Sequence, residues 1–319
     1  MIDSLKFVKG AVAKKDFVPN LTHFQIKDGF IKGYNGQLAL CSPIDCNLNI
    51  APQAAQFVRA INACEDTISL SMTSAGKLSV RSGRFKNLVD CVEADAFPEV
   101  MPQGEVITLD GSLLDALRKL EPFVSIDASK PWSCGILLRG QSAFATNNVI
   151  LAEYWLGYDF PVQMNIPHSA IKEILRIKEE PVSLQCTEDT LTLHYEDGKW
   201  LSTKLLVIEW PAVETVLARV SGEAEPLSKE FFAGINKIQP FCDKLGRVYF
   251  VEDTLSTARP VENADCLVEV AGVIAHGCFS VKHVASLENV ANRAGFAAYP
   301  NPCPFYGDRV RGVILGFNE

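Results

Sequence analysis

The sequence predicts an α+β fold made of three copies of one unit, each running helix, strands, helix, strands. Three observations predict it. Amphipathic helical patterns recur near the start of each third of the chain and again near its middle. Alternating strand pairs follow the later helix in the first two thirds. An aromatic-Pro-x-Val signature closes those two thirds: Phe97-Pro98-Glu99-Val100 and Trp210-Pro211-Ala212-Val213, 113 residues apart.

The opening helices are expected over residues 4–15, 111–123 and 228–242. Their apolar faces are Leu5, Val8 and Val12; Leu113, Leu114, Leu117 and Leu120; and Phe231, Phe232, Ile235 and Ile238. All three sets follow a 3.6-residue period. The later helices are introduced by Asn49-Ile50-Ala51-Pro52 and Asn165-Ile166-Pro167, 116 residues apart, and carry Phe57, Val58 and Ile61, then Ile171, Ile174 and Leu175. Proline suits a first helical turn, where its missing N–H would have no partner, so Pro52 and Pro167 are expected at helix starts. The third copy lacks the proline; Ser280 is expected to cap a helix bearing Val281, Val284 and Leu287. Strands are expected over 67–72 and 77–81, around a turn at Gly76, and over 182–186 and 191–195. The repeats set domain boundaries at 1–106, 107–222 and 223–319. The linkers, near 102–106 and 220–226, are short enough to imply a rigid arc rather than loosely tethered beads.

The bulk numbers suit a folded chain of 319 residues, with 48% hydrophobic and 21% charged residues. The net charge of −8 speaks mildly against nucleic-acid binding, yet local basic faces can outweigh the overall sign. The ten cysteines form no C-x-x-C pair and no zinc-ligand spacing, which reads as reduced thiols in a cytoplasmic protein, with disulfides as the alternative. No leader pattern opens the chain and no apolar run is long enough to span a bilayer, so no membrane partner is expected. No metal, cofactor or catalytic residue is expected either. Walker, Rossmann, G-x-S-x-G and H-E-x-x-H patterns are absent, and His276, Cys278 and His283 are set aside as a chance thiol grouping.

Several stretches carry a family resemblance: Ala94-Asp95-Ala96-Phe97-Pro98, Gly135-Ile136-Leu137-Leu138, Ala145-Thr146-Asn147-Asn148-Val149-Ile150-Leu151-Ala152, Asn165-Ile166-Pro167 with the helix after it, and Glu209-Trp210-Pro211 with Val216-Leu217. The pattern resembles the bacterial DNA polymerase III beta subunit, the sliding clamp. Where that family has Ala-Thr-Asp-Gly-His-Arg-Leu-Ala, this chain departs at Asn147-Asn148-Val149-Ile150, and its last third matches only by pattern. The resemblance is to a divergent member, with bacterial and bacteriophage sources both open.

The resemblance implies three clamp domains per chain, with helices lining a pore and antiparallel sheets outside. Two copies would close head to tail into a homodimeric ring around double-stranded DNA, bound without regard to sequence. The first domain would meet the third of the next chain, through about residues 70–81 and the third domain's edge strands. DNA-facing charges would be Lys6, Lys9, Lys14, Arg59, Arg118, Lys119, Lys172, Arg176, Lys229, Lys237, Lys282 and Arg293, with Trp132 able to stack on the nucleic acid. The bland alternative is an ordinary solvated helix face and a loop tryptophan. A second implied site is an apolar pocket for short hydrophobic motifs of a DNA polymerase and a clamp loader. Its wall would be Thr146, Val149, Ile150, Leu151, Pro211, Thr215, Val216, Val313, Leu315 and Phe317, against the alternative of plain sheet core. The expected function is a processivity factor without chemistry; the alternative is a clamp-fold adaptor or decoy that does not encircle DNA.

Overall fold

The structure, a computed structural model, describes residues 1–15, 18–220, 222–270 and 276–318. A core order of helix, four strands, helix and three strands recurs three times. The first run is α1 (Ile2–Val8), β1 (Gln25–Lys27), β2 (Phe30–Tyr34), β3 (Leu38–Pro43), β4 (Ala51–Pro52), α2 (Ala54–Asn62), β5 (Ser69–Met72), β6 (Leu78–Ser82), β7 (Phe85–Val89) and β8 (Cys91–Val92). The second is β9 (Val106–Thr108), α3 (Leu113–Leu120), β10 (Gly135–Arg139), β11 (Ser142–Thr146), β12 (Ile150–Trp155), β13 (Met164–Pro167), α4 (His168–Ile177), β14 (Ser183–Cys186), β15 (Thr190–His194), β16 (Trp200–Lys204) and α5 (Val213–Arg219). The third is β17 (Glu225–Pro226), α6 (Lys229–Ile238), β18 (Arg247–Val251), β19 (Thr254–Ser256), β20 (Leu267–Glu269), β21 (Gly277–Ser280), α7 (Val281–Ala285), β22 (Arg293–Ala294), β23 (Cys303–Gly307) and β24 (Val310–Ile314).

The α+β class and the helix and strand positions follow the sequence closely, and the differences have local causes. Each opening helix tightens into a 3₁₀ turn, at Lys9–Ala11, Glu121–Phe123 and Gln239–Phe241, so its α-helical part is shorter than the apolar stripe. Pro52 and Pro167 do not sit in a first helical turn. They end strands β4 and β13, and the cap of α2 is Gln53, whose side chain accepts from the Gln56 N–H at 2.7 Å. Ser280 does stand at the N-cap of α7, but makes no side-chain cap bond, and the helix ends at Ala285, before Leu287. Ser228 caps α6 by accepting from the Phe231 N–H at 3.0 Å. The helix α5 carries no long apolar stripe and has no counterpart among the expected helices.

The chain divides into two compact units that do not coincide with the repeats. The first comprises Met1–Leu114 and Lys172–Leu205; the second, Asp115–Ile171 and Leu206–Glu319. Each therefore holds part of the middle repeat. In the first unit a seven-stranded sheet runs β1-β2-β3-β16-β15-β14-β9, beside a three-stranded sheet β5-β6-β7. In the second an eight-stranded sheet runs β13-β10-β11-β12-β24-β23-β22-β17, beside a four-stranded sheet β20-β19-β18-β21. The two large sheets are joined across repeats by one rule: the third strand after a repeat's opening helix pairs antiparallel with the third strand after the next repeat's later helix, β3 with β16 and β12 with β24. The turn between β1 and β2 is Asp28-Gly29, both at positive φ (53° and 77°), the backbone that suits a tight hairpin.

Cores follow the same logic. In the first unit Phe7, Val8, Ile31, Leu40 and Phe57 are fully or nearly fully buried, and Phe7 meets Tyr195 edge-on at 5.5 Å. In the second, Phe231, Phe250, Phe279 and Phe296 form a cluster of rings whose centroids lie 5.0–6.0 Å apart. Each such side chain contributes about 1.5–3 kcal/mol by leaving water. In the three-stranded sheet β6 is paired on both sides, so within residues 70–81 only the edge of β5 is open; the other open edge is β7.

Candidate functional site

Strand parity in the second unit sorts the expected pocket residues onto two faces. Leu137 lies opposite Phe144, and Leu151 opposite Val313. These four share one face with Trp210, Val213 and Leu217, and the seven form a buried apolar cluster under α5. Ile150 and Ile314 pair one step along, so their fully buried side chains belong to the opposite face, the one that packs against Asp115–Leu120. Ile150 is therefore core and is withdrawn from the pocket wall. On that face Tyr154 donates to Asp115 at 3.0 Å; burial first and the carboxylate second push its phenol up to about 12.

The turn between β11 and β12 explains the departure at Asn147-Asn148. Thr146 is buried and donates its hydroxyl to the Ile150 carbonyl at 2.7 Å, while Asn147 Oδ1 accepts from the N–H groups of Val149 and Ile150 at 3.0 and 2.8 Å. Asn148 sits at φ 71°, a conformation asparagine tolerates better than most side chains. The turn delivers a half-buried Val149, whose carbonyl accepts from the Leu315 N–H at 2.9 Å. Thr146 thus builds the turn, and Val149 and Leu315 form the surface.

Helix α5 completes the site. Its first turn is fixed to β10 by Arg139, which donates to both oxygens of Glu214 at 2.8 and 2.6 Å. Leu151, Val313 and Leu217 make the floor, at 4–7% exposure; Val216 and Leu315 stand on the rim at 43% and 39%. Pro211 and Thr215 are exposed on the same helix entry, and Phe317 is half-buried. An open groove of about 700 Å³ flanks α5, lined by Val216, Arg219, Val220, Glu223, Ala298 and Pro302. Of the expected wall, only Val216 lines this groove, and the contribution of residues 297–302 carried no readable signal in the sequence.

Trp132 packs here too. The 3₁₀ turn Pro131–Ser133 folds it back so that it meets Trp210 edge-on at 5.1 Å (interplanar angle 73°), against the cluster under α5.

Among the expected DNA contacts, Lys6, Lys9, Lys14, Arg59, Arg118, Lys172, Lys229, Lys237 and Lys282 are exposed. Lys14 lies beyond α1 and its 3₁₀ turn. Three others are already engaged within the protein. Arg176 donates to Glu173 and to the carbonyls of Lys6 and Phe7 at 2.8–2.9 Å, holding the end of α1. Lys119 is largely covered, bridging Asp115 at 3.1 Å and donating to the Asp308 carbonyl at 3.2 Å. Arg293 lies in strand β22, not on a helix, and donates to the Ala224 carbonyl at 2.9 and 3.1 Å. All three hold neighbouring groups of the fold through these bonds, and Arg293 is exposed as well.

Among the described residues no group of three or more His, Cys, Asp or Glu side chains could hold a metal ion, and no helix is long and apolar enough to cross a membrane.

No protein-family model matches the chain, and no curated protein matches it. Solved structures do. The DNA polymerase sliding clamp of Bacillus subtilis superposes with a TM-score of 0.85 at 18% identity, covering 100% of this chain and 97% of that one. The beta sliding clamp of C. crescentus gives 0.85 at 16% identity, with coverage of 100% and 97%. The Helicobacter pylori beta clamp, solved with a DNA ligase peptide bound, gives 0.83 at 17% identity, with coverage of 99% and 97%. From end to end, this chain has the fold of the bacterial DNA polymerase III beta sliding clamps.

Proposed function

We propose that the protein is a DNA sliding clamp: a non-enzymatic processivity factor of three domains, bounded near residues 106 and 222, that encircles duplex DNA as a head-to-tail dimer. The observation that carries this reading is the strand rule. β3 takes the last strand of the second repeat and β12 that of the third. By that rule two positions are left without a mate, both of them sheet edges: β20, the third strand after the opening helix of the third repeat, and β7, the third strand after the later helix of the first. A second copy satisfies both by the same rule, β20 of each chain taking β7 of the other. A rotation that closes on itself at two copies would make a ring rather than a fibre. An edge left bare would be an aggregation hazard, and this pairing removes both.

The nine exposed lysines and arginines named above would act as sequence-independent counter-charges to phosphate. The surface around α5 would receive short hydrophobic segments of a polymerase and a clamp loader, with Val216 and Leu315 as contacts and Leu151 and Val313 as floor. The test is retention on closed circular DNA after loading at high protein concentration. A clamp stays bound through a high-salt wash and leaves when the circle is cut. Loss during the wash regardless of DNA topology would remove the encircling role and leave an adaptor.

A further inference from the structure

The face of the eight-stranded sheet that carries Leu151 and Val313 continues beyond that apolar floor. Side chains alternate along a strand, so Glu153 and Trp155 follow Leu151 on the same face of β12, and Arg311 follows Val313 on β24. The Trp155 N–H donates to the Arg309 carbonyl at 2.8 Å, which carries the pairing into the turn between β23 and β24. From Leu151 to Trp155 is about 13 Å of strand, the reach of about four extended residues. Helix α5 packs over the Leu151 end. At the other end Trp155 is 52% exposed, and with Arg309 and Arg311 it borders an open hollow of about 310 Å³.

The side chains of this hollow are held in place, and their exposed charge has one sign. The Trp155 ring lies against the backbone at Gly157, where a Cβ would stand 3.3 Å from it, and Arg309 lies over the ring at 5.9 Å. Glu153 is the one acid lining the hollow. Its side chain is only 11% exposed, and both of its oxygens are taken: Ser142 donates to one at 2.7 Å and Arg311 Nε to the other at 2.5 Å. Arg311 is held through Nε alone, so its outer N–H groups have no partner among the described residues. Arg309 makes no ion pair among the described residues either, and its neighbour Asp308 reaches to Lys119 instead, at 3.8 Å. What the hollow presents is therefore two exposed guanidinium groups beside an aromatic ring, on a chain whose net charge is −8. Tryptophan and arginine are the side chains that most often dominate a binding surface, and a guanidinium fork fits a carboxylate.

We propose that this hollow receives an acidic stretch of the same peptide whose hydrophobic anchors dock beside α5: aspartates or glutamates about four residues from the anchors, paired with Arg309 and Arg311 and packed on Trp155. The proposal rests on the reading of the α5 surface as a peptide site and adds a second determinant to it. The anchors supply affinity. The acidic stretch selects among hydrophobic peptides, and selects less at high salt, which screens exposed pairs.

The test is fluorescence anisotropy with labelled peptides that bear leucine and phenylalanine anchors and, at one end or the other, a short tail of glutamates or of glutamines. The wild type is expected to bind one of the glutamate-tailed peptides roughly three- to tenfold more tightly than its glutamine counterpart at low salt, and to lose that gain at high salt. R309N and W155S should each lose the gain and bind the glutamine-tailed peptides as the wild type does. Asparagine suits the φ of 56° at Arg309, and Trp155 is exposed, so both variants should fold, which circular dichroism checks. Equal affinity for glutamate and glutamine tails would overturn the acidic stretch and leave the α5 surface intact. A gain that survives in either variant would overturn the hollow as its site. Binding of a labelled oligonucleotide that both variants abolish, with no gain from glutamate, would give the hollow to nucleic acid and overturn the proposal likewise. No binding of any of these peptides up to their solubility limit would remove the α5 surface as a peptide site, and this extension with it.

Discussion

The two large sheets carry the same joint and finish it differently. In the first unit the β3–β16 joint is floored by Ala39, Cys41 and Trp200, with Tyr34 and Val100 packed against them. Trp200 itself fills the space, and Lys32 lies over its ring at 5.8 Å. The segment after Phe97-Pro98 runs on without a helix. In the second unit the β12–β24 joint is floored by Leu151 and Val313, and the segment after Trp210-Pro211 winds into α5 with Val216 left on its outer side. One topology thus yields a sealed face in one unit and an open apolar one in the other. The difference lies in two choices of side chain and one short helix.

The largest effect should come from breaking the open face at its base. Trp210→Ala is expected to cost about 3–5 kcal/mol in chemical denaturation, by removing a buried ring from under α5, and to abolish binding of a fluorescent hydrophobic peptide. Trp200→Ala should cost a similar amount through the sealed face yet leave peptide affinity unchanged in the folded protein. Equal loss of binding in both variants would erase the distinction between the faces.

A cleaner cut spares stability. Val216→Glu with Leu315→Glu should reduce peptide affinity at least tenfold in anisotropy titrations and shift the unfolding midpoint little, because both side chains stand on the rim. Leu151 is a poor choice for this purpose: it is floor, and a charge there would unfold the site along with emptying it. Arg139→Ala sits between these extremes. It frees the first turn of α5 and should cost about 1 kcal/mol, with a weaker and more salt-dependent peptide affinity.

A similar contrast separates Lys172 from Arg176, four residues apart on α4. Lys172→Glu should weaken retention on DNA and leave melting unchanged. Arg176→Glu should lower the melting temperature, because it strips the carbonyls of Lys6 and Phe7 of their donor and leaves Glu173 beside a new carboxylate.

The smallest expected effect is on pH. Burial holds His194 in the first unit and His283 in the second below the ordinary value of 6.5. Each favours its neutral form in the folded state. The stability they contribute is complete above the ordinary value and is lost as pH falls through it toward the folded-state value. Melting temperature should therefore drop between about pH 7.5 and 5.5. His283→Gln should flatten the second unit's share of that slope; an unchanged slope would assign it elsewhere.

Much of this was legible beforehand. Period-3.6 stripes such as Leu113, Leu117 and Leu120 found the helices, and the spacing between Phe97 and Trp210 found the repeat, because burial on one face leaves a regular trace. What stayed hidden depends on partners distant in sequence. Ile150 and Leu151 look alike in a strand, and only the pairing with Val313 and Ile314 tells floor from core. Arg176 reads as a solvated helix charge until α1 presents its carbonyls. Trp132 reads as a free loop aromatic until Trp210 turns up beside it. The helix α5 is seven residues long, too short for periodicity to announce.

The shared sheets also set a timetable for synthesis. Strand β3 is complete once Pro43 has been made, yet its partner β16 ends at Lys204, and β12 must likewise await Val310–Ile314. Each large sheet is thus closed by a strand roughly 160 residues downstream, a separation that slows closure and delays burial of the edge. A nascent chain stopped between the second and third repeats would have its first sheet whole and the edge at Ile150–Trp155 bare. Premature termination there would yield a half-protein that is folded and adhesive at once, a natural client for chaperones until the last strand emerges.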